Sequence, residues 1–158
     1  QFIKKRDLRI QRFLDSFVEQ WFVPDLSLSS KEAVLRYAGE LVSSAVTDAE
    51  DIYHMFTHRE SISSGALGDN IAVISSTYPV LEETKVGLLI LKKPVRWSDE
   101  IAQIVFVVLT GREQDSLLFI MDHLRYLLKN VNLICKLLGA KSLSEAKQLM
   151  GDCLHDTK

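Results

Sequence analysis

At 158 residues, 47% of them hydrophobic and 25% charged, the chain is long enough for one domain to bury about 70% of its unfolded surface. That composition excludes a disordered polymer. Lys and Arg number 19 against 21 Asp and Glu, a net charge of −2, so no overall electrostatic pull toward nucleic acid or a membrane surface exists. The longest apolar runs, such as 104–109, fall far short of the about 20 residues that span a bilayer.

In chain order, residues 7–22 carry Ile10, Phe13, Leu14, Phe17, Val18, Trp21 and Phe22 at helical spacing. They predict an amphipathic helix ended by Pro24. Lys4, Lys5, Arg6, Arg9 and Arg12 give this lead-in a local positive charge, which reads as a solvated helix face or a linker. The aromatic stripe suits a core, a neighbouring domain or a second subunit. Ser29 with Glu32, and Thr47 with Glu50, form capping-box patterns that predict helices near 30–45 and 48–60. Ser61–Gly68 is rich in Ser and Gly and reads as a loop. Ile71–Thr77, Lys85–Leu91 and Ile101–Thr110 read as strands, the last two as near-continuous apolar runs suited to burial on both faces. Helical spacing returns over 115–129 and 131–138. Ser142 with Glu145 caps a terminal helix through Met150, and 151–158 reads as a frayed tail.

Helices flanking a few buried strands predict a three-layer α/β/α domain with a mixed central sheet of about five strands, preceded by the extra amphipathic helix. The chain divides into a lead-in helix and linker (1–27), a main body (28–150) and a C-terminal tail (151–158). Cys135 and Cys153 lack metal-ligand spacing and read as buried free thiols of a reducing, cytoplasmic compartment. No residue pattern predicts a metal or other cofactor. A chain that opens on Gln1 inside a helical pattern reads as a piece of a longer polypeptide.

The segment from Arg59 to Ser75 joins a helix end, a small-residue loop holding Gly65 and Gly68, and an apolar strand. That order resembles the active-site approach of the fructose/mannitol-type enzyme IIA components of the bacterial sugar phosphotransferase system. There, Arg-Glu, Thr-Gly or Leu-Gly, and Ile-Ala-Ile/Val-Pro-His follow one another. Arg59-Glu60, Leu67-Gly68 and Ile71-Ala72-Val73 match, but Ile74-Ser75 stands where Pro-His belongs. Pro94-Val95-Arg96-Trp97 and the Ser142-Leu143-Ser144-Glu145 cap extend the resemblance over about 28–150. In that family the missing histidine carries the phosphoryl group. A second histidine lies at the start of the helix after the long strand, where this chain has Leu117 (Ser116 if the alignment slips by one residue).

The resemblance implies a phosphocarrier scaffold without its nucleophile, with a vestigial pocket of Arg59, Glu60, Gly68, Asp69, Ser75 and Ser76. The residues also have plainer readings. Arg59 and Glu60 can close a helix end and pin the loop, and Gly65 and Gly68 can serve a turn that needs positive φ. His58, beside Arg59, is the one histidine placed to act as an alternative acceptor. His54 reads as a surface or packing residue, His123 as solvated or half-buried, and His155 as part of the tail.

A serine hydroxyl without an adjacent base is a poor nucleophile, and its phosphoester would be too stable to donate onward. The function so implied is a non-catalytic regulatory domain of a multidomain transcription activator or antiterminator that controls sugar uptake. It would act by contact with other domains of its own chain, a second subunit or a phosphotransferase protein, without touching nucleic acid or membrane. The alternative is an active phosphocarrier that uses His58. A third reading is an interaction domain of the same architecture outside the phosphotransferase system.

Overall fold

The computed structural model describes residues 5–43, 48–77, 81–112 and 116–156. The elements run α1 (Lys5–Asp15), β1 (Phe17–Leu26), α2 (Lys31–Val42), α3 (Ala49–Ile62), β2 (Ala66–Gly68), β3 (Ile71–Thr77) and β4 (Lys85–Trp97). β5 (Glu100–Thr110), α4 (Ser116–Leu128), α5 (Val131–Leu138) and α6 (Leu143–His155) follow. The strands form one mixed sheet in the order β1-β4-β5-β3-β2. β1 runs parallel to β4 and β3 parallel to β5, while β4–β5 and β2–β3 are antiparallel.

Alternation along the central strands serves two cores. Ile71, Val73, Leu88, Ile104 and Phe106 point to the face covered by α1, α4, α5 and α6. Ala72, Ile74, Leu89, Val105 and Val107 point to the face covered by α2 and α3. Both faces are therefore dry, which is why β4 and β5 read as unbroken apolar runs. The result is the three-layer architecture that the sequence predicts.

The segment expected as a loop over Ser61–Gly68 begins in the last residues of α3 and ends in the short strand β2, and three further boundaries differ from expectation. The helix predicted over 7–22 ends at Asp15, and 17–26 is instead edge strand β1. Ser16 turns the chain: its amide and hydroxyl both donate to the Phe13 carbonyl, and its own carbonyl accepts from Val86 N–H at 2.8 Å. The aromatic and β-branched run Phe17–Val23 then satisfies strand propensity, and Pro24 is tolerated because the strand is at the sheet edge. α1 is no free-standing lead-in, since Ile10 and Phe13 lie in the same core as α4 and α6. At the other end, α6 continues past Met150 to His155, with Gly151 and Leu154 buried, so 151–155 is not frayed. β4 runs six residues beyond Leu91 because a register shift between Ile90 and Val95 absorbs the exposed Lys92-Lys93-Pro94.

Caps shift slightly. Ser30 rather than Ser29 caps α2, accepting from Ala33 N–H, and Asp48 caps α3; Thr47 lies outside the described residues. Neither cysteine is buried as expected: Cys135 sits on the outer side of α5 and Cys153 is half-buried.

His123 on α4 stacks on Phe13 of α1 at 4.8 Å between ring centroids, and its Nδ1 lies 2.9 Å from the Phe119 carbonyl. Burial, aided by Arg9 and Arg12, lowers its pKa against the opposing influence of that carbonyl and Asp122. The unfolded chain therefore binds more protons here than the folded one. Its contribution to stability is full above about pH 6.5 and is lost as pH falls through the lower folded-state pKa. Melting temperatures measured between about pH 7 and pH 5 should fall less in His123→Gln than in the native chain.

Candidate functional site

β3 ends in Ser75, Ser76 and Thr77, next to Thr110 at the end of β5. Beyond Ala66, β2 no longer covers β3, and this open end faces the last turns of α3. A cavity of about 300 Å³ opens there. Met55, His58, Arg59 and Ile62 of α3 form one wall. Ser75, Ser76, Thr77, Thr110 and Leu117 at the start of α4 complete it. Larger clefts, about 700 Å³ between α1 and α4 and about 600 Å³ beside Lys31 and Arg96, include neither Ser75 nor Leu117.

The structure thus brings together Ser75, Ser76, Leu117, Arg59 and His58. Ser75 is 7% exposed, and its hydroxyl makes no hydrogen bond among the described residues. Thr110 donates to the Thr77 hydroxyl at 3.4 Å. Arg59 donates to the Ser63 carbonyl at 3.0 Å, closing the helix end as the plain sequence reading holds, while still lining the cavity. His58 is exposed, and its ring has no hydrogen-bond or ion-pair partner among the described residues.

Glu60 stands behind this wall rather than in it. Its buried carboxylate accepts the Gly65 amide at 3.1 Å and the Trp97 indole N–H at 3.2 Å, and pairs with Lys31 at 2.9 Å. It ties α2, α3, the 63–65 loop and β4 together. Gly65 is needed for space: an added Cβ would lie 2.0 Å from the Val73 carbonyl oxygen.

Gly68 and Asp69 are not brought to the site. With φ of 88° and 53°, and Asn70 at 71°, they build the tight β2–β3 turn, for which positive φ is required. Asp69 lies six strand positions from Ser75, about 20 Å at the usual rise. The other histidines are also remote. His54 lies 3.5 Å from Glu50 on the surface, His155 lies 3.5 Å from Asp7, and His123 is packed between helices. Among the described residues no three His, Cys, Asp or Glu side chains could hold a metal ion, and no helix is long and apolar enough to cross a membrane.

Sequence reasoning missed Met55, Ile62, Thr77 and Thr110 as cavity residues. The strand assignments contained Thr77 and Thr110, but only the β3–β5 register puts them side by side.

A mixed sheet thus lies between two helical layers, with a small cavity lined by Ser75, Ser76, Thr77 and Thr110 where β3 and β5 end. Residues 16–152 match the family model described as "Phosphoenolpyruvate-dependent sugar phosphotransferase system, EIIA 2", and the chain belongs to that family. Its fold is shared by the nitrogen regulatory protein IIA-Ntr of Neisseria meningitidis (TM-score 0.75, 16% identity, 87% of this chain and 97% of that one). IIA mannitol of Escherichia coli shares it as well (TM-score 0.68, 22% identity, 83% and 96%). So does the Escherichia coli mannitol enzyme IIA solved in complex with phosphorylated enzyme IIB (TM-score 0.71, 22% identity, 85% and 97%). No curated protein matches the sequence significantly.

Proposed function

We propose that this domain is a non-transferring enzyme IIA-like regulatory module that acts in the cytoplasm by protein contact. The observation that carries this reading is that Ser75 and Leu117, at the two positions where the family's histidines are expected, line one cavity. A reversible phosphocarrier needs an imidazole that attacks phosphorus and then releases it. Ser75 offers an alcohol with no base hydrogen-bonded to it among the described residues, and Leu117 offers an alkyl group. Positioning without a nucleophile leaves recognition but no transfer.

The larger protein in this reading is a transcription activator or antiterminator of sugar uptake. The domain contacts other domains of that regulator, a second subunit or a phosphotransferase protein. The occurrence of this fold in a protein named as a nitrogen regulator supports a regulatory use. A second reading remains because His58 lines the same cavity with an unengaged ring: a phosphocarrier that uses this histidine.

The test is incubation with the general phosphotransferase proteins and labelled phosphoenolpyruvate, scored as acid-labile label on the domain. The native chain and Ser75→His are expected to stay unlabelled, the latter because Leu117 leaves the second position apolar. The double variant Ser75→His/Leu117→His is expected to accept label. Label on the native chain that disappears in His58→Asn would establish the second reading instead.

A further inference from the structure

We infer that the cleft where α2, α3 and the β4–β5 turn meet binds a small hydroxylated carboxylic acid, the size of a monosaccharide acid. Its volume, about 600 Å³, is that of a small-molecule pocket. Thr57, Glu60 and Ser61 of α3 line it, whereas Met55, His58, Arg59 and Ile62 of the same helix line the strand-end cavity. The two openings lie on different faces of α3 and share no residue.

Three side chains on this cleft carry bonding capacity that the fold does not use. Thr57 Oγ1 is shut off from solvent and has no hydrogen-bond partner among the described residues. A desolvated, unpaired hydroxyl is costly unless something arrives to pair it, and helical threonine has two populated χ1 wells with which to reach a ligand. The Arg96 guanidinium and the Glu32 carboxylate line the same cleft. Neither makes a hydrogen bond or an ion pair among the described residues. Lys31 is already engaged: it pairs with the buried Glu60 carboxylate at 2.9 Å and donates to Ser98 Oγ at 3.3 Å. The first two amides of α2, those of Lys31 and Glu32, have no intrahelical acceptor, and the capping hydroxyl of Ser30 serves Ala33 instead.

These groups select both the charge and the body of the ligand. Arg96 presents a planar fork that matches a carboxylate through two parallel bonds, beside the positive end of α2. Lys31 offsets the charge of Glu60, but Glu32 stays negative on the cleft wall, so a doubly charged phosphate meets more repulsion than a singly charged carboxylate. Glu32 accepts from ligand hydroxyls instead. Thr57, and Ser61 whose own proton goes to the His58 carbonyl, offer oxygens to the same hydroxyls. An acid without hydroxyls leaves Thr57 and Glu32 unpaired, and a neutral sugar leaves Arg96 so. A ligand that carries both kinds of group satisfies the whole set.

The experiment titrates the native chain with gluconate and with glucuronate, followed by backbone amide NMR shifts. Acetate, glucose and glucose 6-phosphate are the comparison arms. At least one of the two hydroxylated acids should bind about tenfold or more tightly than every comparison arm. It should move the amides of Thr57, Ser61 and Arg96 and leave those of Ser75 and Thr110 in place. Arg96→Ala and Thr57→Val should each weaken it by about tenfold, while their melting temperatures stay near native because neither side chain has a hydrogen bond to lose. Failure of both acids to bind, a comparison arm binding as tightly, an affinity unchanged in either variant, or shifts confined to Ser75 and Thr110 would each overturn the inference. None of these outcomes alters the reading of the strand-end cavity, which is tested by phosphoryl label.

Discussion

Replacing Gly65 by alanine is expected to destabilise the domain by about 3 kcal/mol or more, the sum of a severe overpacking and a weakened hydrogen bond. The new Cβ would sit 2.0 Å from the Val73 carbonyl oxygen and 3.1 Å from a Glu60 carboxylate oxygen. The first of these atoms is backbone and cannot rotate away. Either the loop retreats from β3, breaking the 2.9 Å bond from Val73 to Gly65, or β3 bends where its end forms the cavity. In a chain of this size the change should lower the melting temperature by about 10 °C. A thermal melt within about 2 °C of native would show that the approach is looser than the geometry implies.

Glu60→Ala should be of similar size for a different reason. One buried carboxylate gathers Lys31, the Trp97 indole and the Gly65 amide. Its removal leaves the indole and amide donors without an acceptor and releases Lys31, whose side chain is 25% exposed and can turn toward water. Breaking a buried pair from one side costs about 3–5 kcal/mol, and the partial exposure of Lys31 places this case at the lower end. Glu60→Gln keeps an amide oxygen for one donor and should lose about half as much. Denaturant melts of the two variants check the order. If alanine and glutamine proved equally mild, Glu60 would not be the clasp between α2, α3 and β4.

Both effects explain why parts of this molecule were legible in the sequence and others were not. Residues 71–77 and 101–110 read as strands because burial on both faces writes the same apolar residues whatever the partner strand. The end of α3 and the approach to Ser75 were legible as an ordered run of local features. β1 was not, because Phe17, Val18, Trp21 and Phe22 satisfy helical spacing as well as they satisfy a strand; the parallel pairing with β4, from Phe17 opposite Val86 to Leu26 opposite Leu91, decides it. The resemblance sets Gly68 and Asp69 in the pocket, yet an extended strand carries chain neighbours apart faster than any other element. The pairing of Thr77 with Thr110 and the reach of Glu60 to Trp97, 37 positions away, depend on register and tertiary packing. No local pattern encodes them.

The central claim is that this scaffold recognises without accepting. Its most direct measurement is the intact mass of the native protein after incubation with the general phosphotransferase proteins and phosphoenolpyruvate, taken under alkaline conditions that preserve phosphoramidates. An unchanged mass, beside a fully phosphorylated enzyme IIA in a parallel reaction, is the result the geometry of Ser75 and Leu117 predicts. A phosphorylated species that donates onward to an enzyme IIB thiol would contradict it.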